Sequence, residues 1–564
     1  MPIHEPYHAL FKNLRRLHKI LPSTGDDRKH AELLLDFITT EQSGTWHKSL
    51  EVEERRCRRI AFRDLCLLYF TGQTVFRRES GWRAYKVGRI ETGADFTCGP
   101  LRVHAYYLDF DNMGQSLVPH LEVLTISPYQ YDREIRDLVL LPEWYVHNHL
   151  KMDVLRDRLI QRGKKYWAYN SRPFLQEYSG DAWGNTSKSV PMQVMVDYTT
   201  ASKKSEDNMS HSLMNPTCQA CRSIALGFAP FPQGSYSHDP EFCFQLGRYR
   251  KGEDCEGKCM LLYCPSQVWA FSFRHKTWKQ VHVSHLIDVK VQKPEWKDLR
   301  MADMDRKTQL DLMVASYFRE RDSGRPIFGR RQGINMLLHG GSGTGKRFIA
   351  EFLARRHNAA LYEISCSSLP QAADSLNIEL RTIFSRAANW GALLLLKHAD
   401  SLVQARLGRD VRQDNLVSTL LEALDSSEAL VFFSASYSTE HDPHIISRMH
   451  MALPLPELEA EAQNATWRHA INNVQCLPEY DREDLECFVK KDSCSPPNGS
   501  FGSMNGQEIK SCFQAALALA TREQPRGQHI SLKGDHIKKV LGFRDMFKEY
   551  VRKTYKYYHG EGGI

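Results

Sequence analysis

The chain has 564 residues, 42% of them hydrophobic and 25% charged, which is long enough for several globular cores. A formal net charge of +8 is mild and permits acidic partners without requiring nucleic acid, so no nucleic-acid partner is expected. The apolar runs fall far short of a membrane span, and Met1 to Leu10 lacks the charged start and apolar centre of a secretion signal; the expectation is an intracellular protein, cytoplasmic or nuclear, with no transmembrane segment.

Residues 1–70 read as a helical segment. Leu10, Leu14, Leu17 and Leu21 recur at helical spacing in YHALFKNLRRLHKIL, and HAELLLDFI carries a second apolar stripe. EVEERRCRRIAFR follows; its basic cluster would suit nucleic acid or a nuclear signal, but Glu51 with Arg55 and Glu54 with Arg58 are spaced as in a solvated helix, which is the reading preferred. Residues 71–285 form a mixed β-rich domain: TVF, WRAYKV, LRVHAYYLDF, LEVLTI and later VWAFSF are short β-like runs between Gly, Asn and Asp turn signals, with a loop insertion near 200–260. From 286 to 460 the apolar runs INMLLHG, ALYEIS, ALLLL and ALVFFSAS alternate with helical patterns such as LNIELRTIFSRAANW and LVSTLLEAL, which implies a parallel sheet with crossover helices. Residues 461–564 are helical. Their last stretch, FRDMFKEYVRKTYKYYHGEGG, sets Phe543, Phe547, Tyr550 and Thr554 near helical spacing between basic residues, and is expected to pack on the preceding helix rather than on a membrane or RNA.

The loop LLHGGSGTGKRF carries the most chemistry. Gly340, Gly345 and Lys346 satisfy the phosphate-binding pattern G-x-x-x-x-G-K, and the loop runs from an apolar strand into a helix with Phe348, Ile349, Phe352 and Leu353 on one stripe. Glycines let backbone N–H groups turn inward around phosphate oxygens, and the helix N-terminus adds partial positive charge. Gly340, Gly341, Ser342, Gly343, Thr344, Gly345, Lys346 and Arg347 are therefore the candidate nucleotide-binding residues.

A second candidate is a metal site. The 14 cysteines are too scattered for a disulfide framework and are expected to be mostly reduced, but CQAC at Cys218 and Cys221 and CEGKC at Cys255 and Cys259 have spacings that a tetrahedral zinc ion accepts. The two pairs lie further apart than in compact zinc modules, and packed or exposed thiols are the alternative.

LLHGGSGTGK, GALLLLKHAD, ALVFFSASY and IISRMHMALPLPELE, in that order, resemble the core of an AAA+ ATPase, and NGQEIKSCFQAALALATRE with SLKGDHIKKVLGF resembles that family's C-terminal lid. Residues 70–285, through AYYLDFD, LRDRLIQRGKKYW and LLYCPSQVWAFSFRHKTWKQVHVSHL, resemble the uncharacterised β-rich domain that precedes the core in fungal-type members. The fold class implied is α/β: an AAA+ P-loop core, with a parallel sheet and helices on both faces, a helical C-terminal lid and a mixed β-rich N-terminal domain.

The departures bear on activity. In P-loop enzymes a Ser or Thr after the lysine and an Asp at a strand end hold Mg²⁺; here the resemblance sets Arg347 and Lys397 in those places. The family's water-activating Glu is matched by His398, so that LLLLKHAD stands where the family has LLLLDEAD. These replacements move the formal charge around the metal position by about four units with His neutral. Ser436 matches the sensor position that is usually Asn, and Arg448 matches an arginine finger that would reach a neighbour's nucleotide. SCSSLPQAADSL has no aromatic for gripping a polypeptide, so translocation is not implied.

The expectation is a pseudoenzyme. It would bind ATP or ADP through Lys346, Arg347 and a Lys397 rising from a neighbouring strand, do so without Mg²⁺, hydrolyse poorly and act through homo-oligomer assembly or protein partners. Two alternatives stand beside it: an active AAA+ ATPase that remodels proteins with His398 and Asp400 in altered roles, and a zinc-stapled scaffold that ignores nucleotide.

Overall fold

The computed structural model describes residues 26–40, 43–70, 72–78, 81–91, 99–110, 117–149, 152–169, 172–180, 191–201, 260–289, 293–296, 299, 304–323, 333–404, 411–436, 441–472, 483, 485–486, 504–523 and 532–559. They fall into two compact units, one within 1–289 and one within 290–564. The leucine stripe of YHALFKNLRRLHKIL and the four candidate zinc cysteines lie outside the described residues.

Among the described residues the first unit begins with helices α1 (Asp26–Thr40) and α2 (Ser43–Glu53). The helix expected through EVEERRCRRIAFR stops at Glu53: Arg55 turns to φ 60°, and Cys57 N donates back to Glu51 O at 3.1 Å. Arg55 and Arg58 therefore share no helical face with Glu51 and Glu54. The reason is burial, since Cys57 and Ile60 are drawn into the core and a few tenths of a kcal/mol from helical charge pairs does not compete with that.

Beyond β1 (Arg59–Ile60) come β2 (Thr74–Arg78), β3 (Trp82–Glu91), β4 (Leu101–Phe110), β5 (Leu117–Ile126), β6 (Arg133–Glu134) and β7 (Leu140–Pro142). β1 bridges β6, and the others make an antiparallel sheet in the order β5-β4-β3-β2-β7. Helices α3 (Glu143–His149) and α4 (Met152–Ala168) lead to a second antiparallel sheet of β8 (Phe174–Tyr178), β9 (Met192–Val196), β10 (Gln267–Ser272), β11 (Thr277–His282) and β12 (Leu286–Asp288), ordered β11-β10-β9-β8-β12. Phe76, Val103 and Phe110 from the first sheet, Tyr166 from α4, and Val194 and Ala270 from the second share one apolar core. Within the first sheet, the Arg83 guanidinium lies 4.0 Å from the Tyr107 ring centroid and pairs with Glu122 at 3.6 Å.

The second unit opens with α5 (Met304–Ser323), then β13 (Ile334–Gly340), α6 (Lys346–Arg356), β14 (Leu361–Ser365), α7 (Ala373–Trp390), β15 (Leu393–Lys397), α8 (Asp400–Val403), α9 (Val411–Asp425), β16 (Leu430–Ala435), α10 (Pro443–Ile446) and β17 (Met451–Leu455). The strands form one parallel sheet in the order β14-β15-β16-β13-β17. Burial on both faces explains why its strands read as unbroken apolar runs. Met336, Leu338, Leu393, Leu395 and Phe432 pack with Leu310 and Val314 of α5 and Ile349 and Phe352 of α6. Their alternates Leu337, Leu394, Leu396 and Phe433 are equally buried, as the period of two along a strand requires.

Three further helices, α11 (Ala460–Asn472), α12 (Gly506–Glu523) and α13 (Gly534–His559), enclose a core of Trp467, Ile509, Phe513, Ala516, Ile537 and Leu541. The aromatic stripe of α13 does not join it: Phe543, Phe547 and Tyr550 are each 65% exposed. Position 543 lies about 200° round the helix from the buried Leu541, so this stripe occupies the opposite face. No described helix is long and apolar enough to cross a membrane.

Candidate phosphate-binding site

At the end of β13 the chain turns through residues 341–345 into α6. Gly343 and Gly345 take φ values of 75° and 98°, a region open to glycine at little cost, which lets the loop curl in front of the helix N-terminus. Ser342 is exposed and Thr344 is buried, its hydroxyl donating to Gly341 O at 3.0 Å. Lys346 Nζ donates to Gly340 O at 2.6 Å and Gly341 O at 2.7 Å. An ammonium has three protons, so one remains to reach a phosphate oxygen. Burial lowers the Lys346 pKa, opposed by the charge of Asp400.

The C-terminal helices contact this loop directly. Gly506 N donates to Gly343 O at 3.0 Å, so the first residue of α12 sits against the phosphate loop. α12 is fixed by a reciprocal capping pair: Glu508 N donates to Asn505 Oδ1 at 2.9 Å, and Asn505 N to Glu508 Oε2 at 3.1 Å. Two helix N-termini, those of α6 and α12, thus add partial positive charge beside one loop. Sequence reasoning did not single out Asn505 and Glu508, although their N-x-x-E spacing is the local signal for such a cap; the contact of α12 with residue 343 has no local signal.

Arg347 and Lys397 are brought together, though not as expected. β15 is not beside β13, because β16 lies between them. What joins the two cations is Glu363 on β14: Arg347 Nε donates to Glu363 Oε1 at 2.6 Å and Lys397 Nζ lies 3.1 Å from Oε2. Burial pushes the Glu363 carboxyl up, but the two cations outweigh it and hold it below the ordinary value; the bond to Glu363 raises Arg347. Sequence reasoning missed Glu363. The register Ser365↔Lys397 places Glu363 two residues back on the same strand face, within reach of a long side chain, but that register exists only in the sheet.

His398 follows β15 with φ 55° and an exposed side chain. This turn brings Asp400 opposite Ser436, whose backbone N donates to Asp400 Oδ1 at 2.7 Å and whose hydroxyl donates to the same oxygen. Burial raises the Asp400 carboxyl, yet the bonds from Ser436 prevail and lower it. The candidate sensor hydroxyl and the surviving carboxylate therefore hold one another.

Arg448 lies elsewhere. It donates from Nε and Nη2 to the two oxygens of Asp425 at 2.6 and 2.9 Å, and it precedes β17, whose Met451 pairs with Met336 near the start of β13. A cleft of about 290 Å³ opens there among Asn335, Asp425, Arg448 and His450. The candidate phosphate-binding loop leaves the other end of β13, a strand of seven residues spanning about 20 Å at the usual rise. Arg448 thus does not serve its own loop. Among the described residues no group of three or more His, Cys, Asp or Glu could hold a metal ion.

Residues 336–457 match the family described as "ATPase family associated with various cellular activities (AAA)", residues 459–558 match the "Fungal AAA+ ATPase lid domain", and residues 51–147 match a "Domain of unknown function (DUF7025)". The last match ends before the second antiparallel sheet, whose first strand starts at Phe174. No curated protein matches the chain.

Proposed function

We propose, since residues 336–457 match the AAA ATPase family and residues 459–558 the fungal AAA+ ATPase lid domain, that the chain binds ATP or ADP at the loop of residues 340–347 without Mg²⁺, turns it over poorly, and acts through assembly or partner binding. The observation that carries this reading is the Arg347–Glu363–Lys397 bridge. Mg²⁺ takes near-octahedral oxygen ligands, usually including one or two carboxylates. The two positions where the family supplies those ligands hold cations, and both Glu363 oxygens are engaged by them. Asp400 Oδ1 is committed to Ser436. This donor set does not fit the ion.

The loop amides, the remaining Lys346 proton and the N-termini of α6 and α12 would hold the phosphates. The family's general base would be supplied at His398, which leaves the strand in a left-handed turn and is exposed. Losing a general base costs roughly a hundredfold to ten-thousandfold in rate, and losing the metal removes several kcal/mol more.

The test is thermal melting with ATP or ADP, with and without EDTA. A ligand at about a hundred times its dissociation constant stabilises the fold by about 2.7 kcal/mol. The expected result is a shift that survives EDTA. A shift seen only with Mg²⁺ would place metal ligands elsewhere, and no shift under either condition would leave an empty scaffold.

A further inference from the structure

We propose that Glu363 is a built-in counter-ion that limits how much a third phosphate adds to binding at the loop, so that the site discriminates little between a nucleoside diphosphate and a triphosphate. This deepens, and rests on, the reading that the loop binds nucleotide. Arg347 is the residue after the loop lysine and Lys397 ends β15, and a single carboxylate spans both, at 2.6 and 3.1 Å. The bridge is therefore a fixed group of net charge +1 rather than two separate cations. Its carboxylate is the less exposed partner, at 19% against 62% for Arg347 and 35% for Lys397. Glu363 is thus the anchored member and the two cations are the parts able to move.

The inner phosphates of either nucleotide would meet the loop amides and Lys346. A third phosphate brings more negative charge and, to use Arg347 and Lys397, must compete with Glu363 for the same protons. Charge-assisted bonds of this kind are the strong ones, so the competition weighs most on the triphosphate. Glu363 is a positioning residue in this scheme: it touches the two cations rather than the ligand.

The experiment measures ATP and ADP dissociation constants in EDTA, by calorimetry, for wild type, Glu363→Gln and Glu363→Asp. Wild type should bind ADP and ATP with similar dissociation constants. Glu363→Gln should raise ATP affinity relative to ADP by about tenfold, the factor that 1.4 kcal/mol represents, and should steepen the salt dependence of ATP binding. Glu363→Asp, which keeps the charge, should hold the wild-type ratio. Should Glu363→Gln not fold, Arg347→Gln serves in its place and should move the ratio the other way, against ATP. ADP binding by wild type with an ATP-to-ADP ratio that neither substitution alters overturns the role of Glu363 alone. No binding of either nucleotide to any of the proteins overturns both this inference and the nucleotide-binding reading.

Discussion

Restoring the family's metal ligands, with Arg347→Thr and Lys397→Asp together, should destabilise the second unit unless Mg²⁺ is supplied. In the wild type, Glu363 is neutralised by both side chains, at 2.6 and 3.1 Å. Both pairs are partly solvated, so each contributes about 0.2–1 kcal/mol. The double substitution removes them and sets a second carboxylate near Glu363. Two such charges about 4 Å apart repel by about 1 kcal/mol in water and about 4 kcal/mol at an effective dielectric of ~20. The sum is about 1.5–6 kcal/mol, which at roughly 2–4 °C per kcal/mol lowers the melting temperature by about 3–24 °C in EDTA. A divalent cation would then find two carboxylates and a hydroxyl, so millimolar Mg²⁺ should recover most of the loss while leaving the wild type unmoved. Differential scanning calorimetry of both proteins in EDTA and in Mg²⁺ reads this directly. A double variant as stable as the wild type in EDTA, or an equal Mg²⁺ effect on both, would refute the bridge.

ATP turnover in Mg²⁺ should stay at background by a coupled phosphate assay; about one turnover per second, at the slow end for enzymes, abolished by Lys346→Ala, would instead show a working ATPase. Asp400→Asn should cost about 1–2 kcal/mol at neutral pH by weakening charge-assisted bonds from Ser436. The Asp400 carboxyl is lowered in the fold, so its contribution is present above the unfolded value of about 3.9 and lost as pH falls through the folded one. Urea melts should accordingly show a wild-type advantage that is flat from neutrality to about pH 5 and shrinks below about pH 4. Gly343→Ala should lose at least about 1–2 kcal/mol from the left-handed conformation alone. It also sets a Cβ 2.3 Å from Asn505 Oδ1, so faster proteolysis of the lid helices should accompany the drop in melting temperature. Metal analysis of protein purified without chelator should find zinc only if Cys218, Cys221, Cys255 and Cys259 carry it, and serine at Cys218 should then abolish it.

The sequence by itself determined what local rules encode. The runs INMLLHG and ALLLL are strands because β-like apolar stretches buried on both faces leave no polar alternation. The glycines at 343 and 345 stand where φ is positive, as a glycine-rich phosphate-binding pattern implies. Order along the chain was enough to resemble a known core and lid. Tertiary structure alone decided which charges meet. Arg347 and Glu363 are 16 residues apart and Asp400 and Ser436 are 36 apart, and each pair is joined by strand order and register, not by any spacing a helix or strand imposes. The same holds for the two misread segments. Burial of Cys57 and Ile60 ended a helix that charge spacing favoured, and the packing of Leu541 turned Phe543, Phe547 and Tyr550 outward. Periodicity shows that a face is apolar, but which face is covered depends on partners distant in sequence, because burial at about 25 cal/mol per Å² outweighs local pairs worth tenths of a kcal/mol.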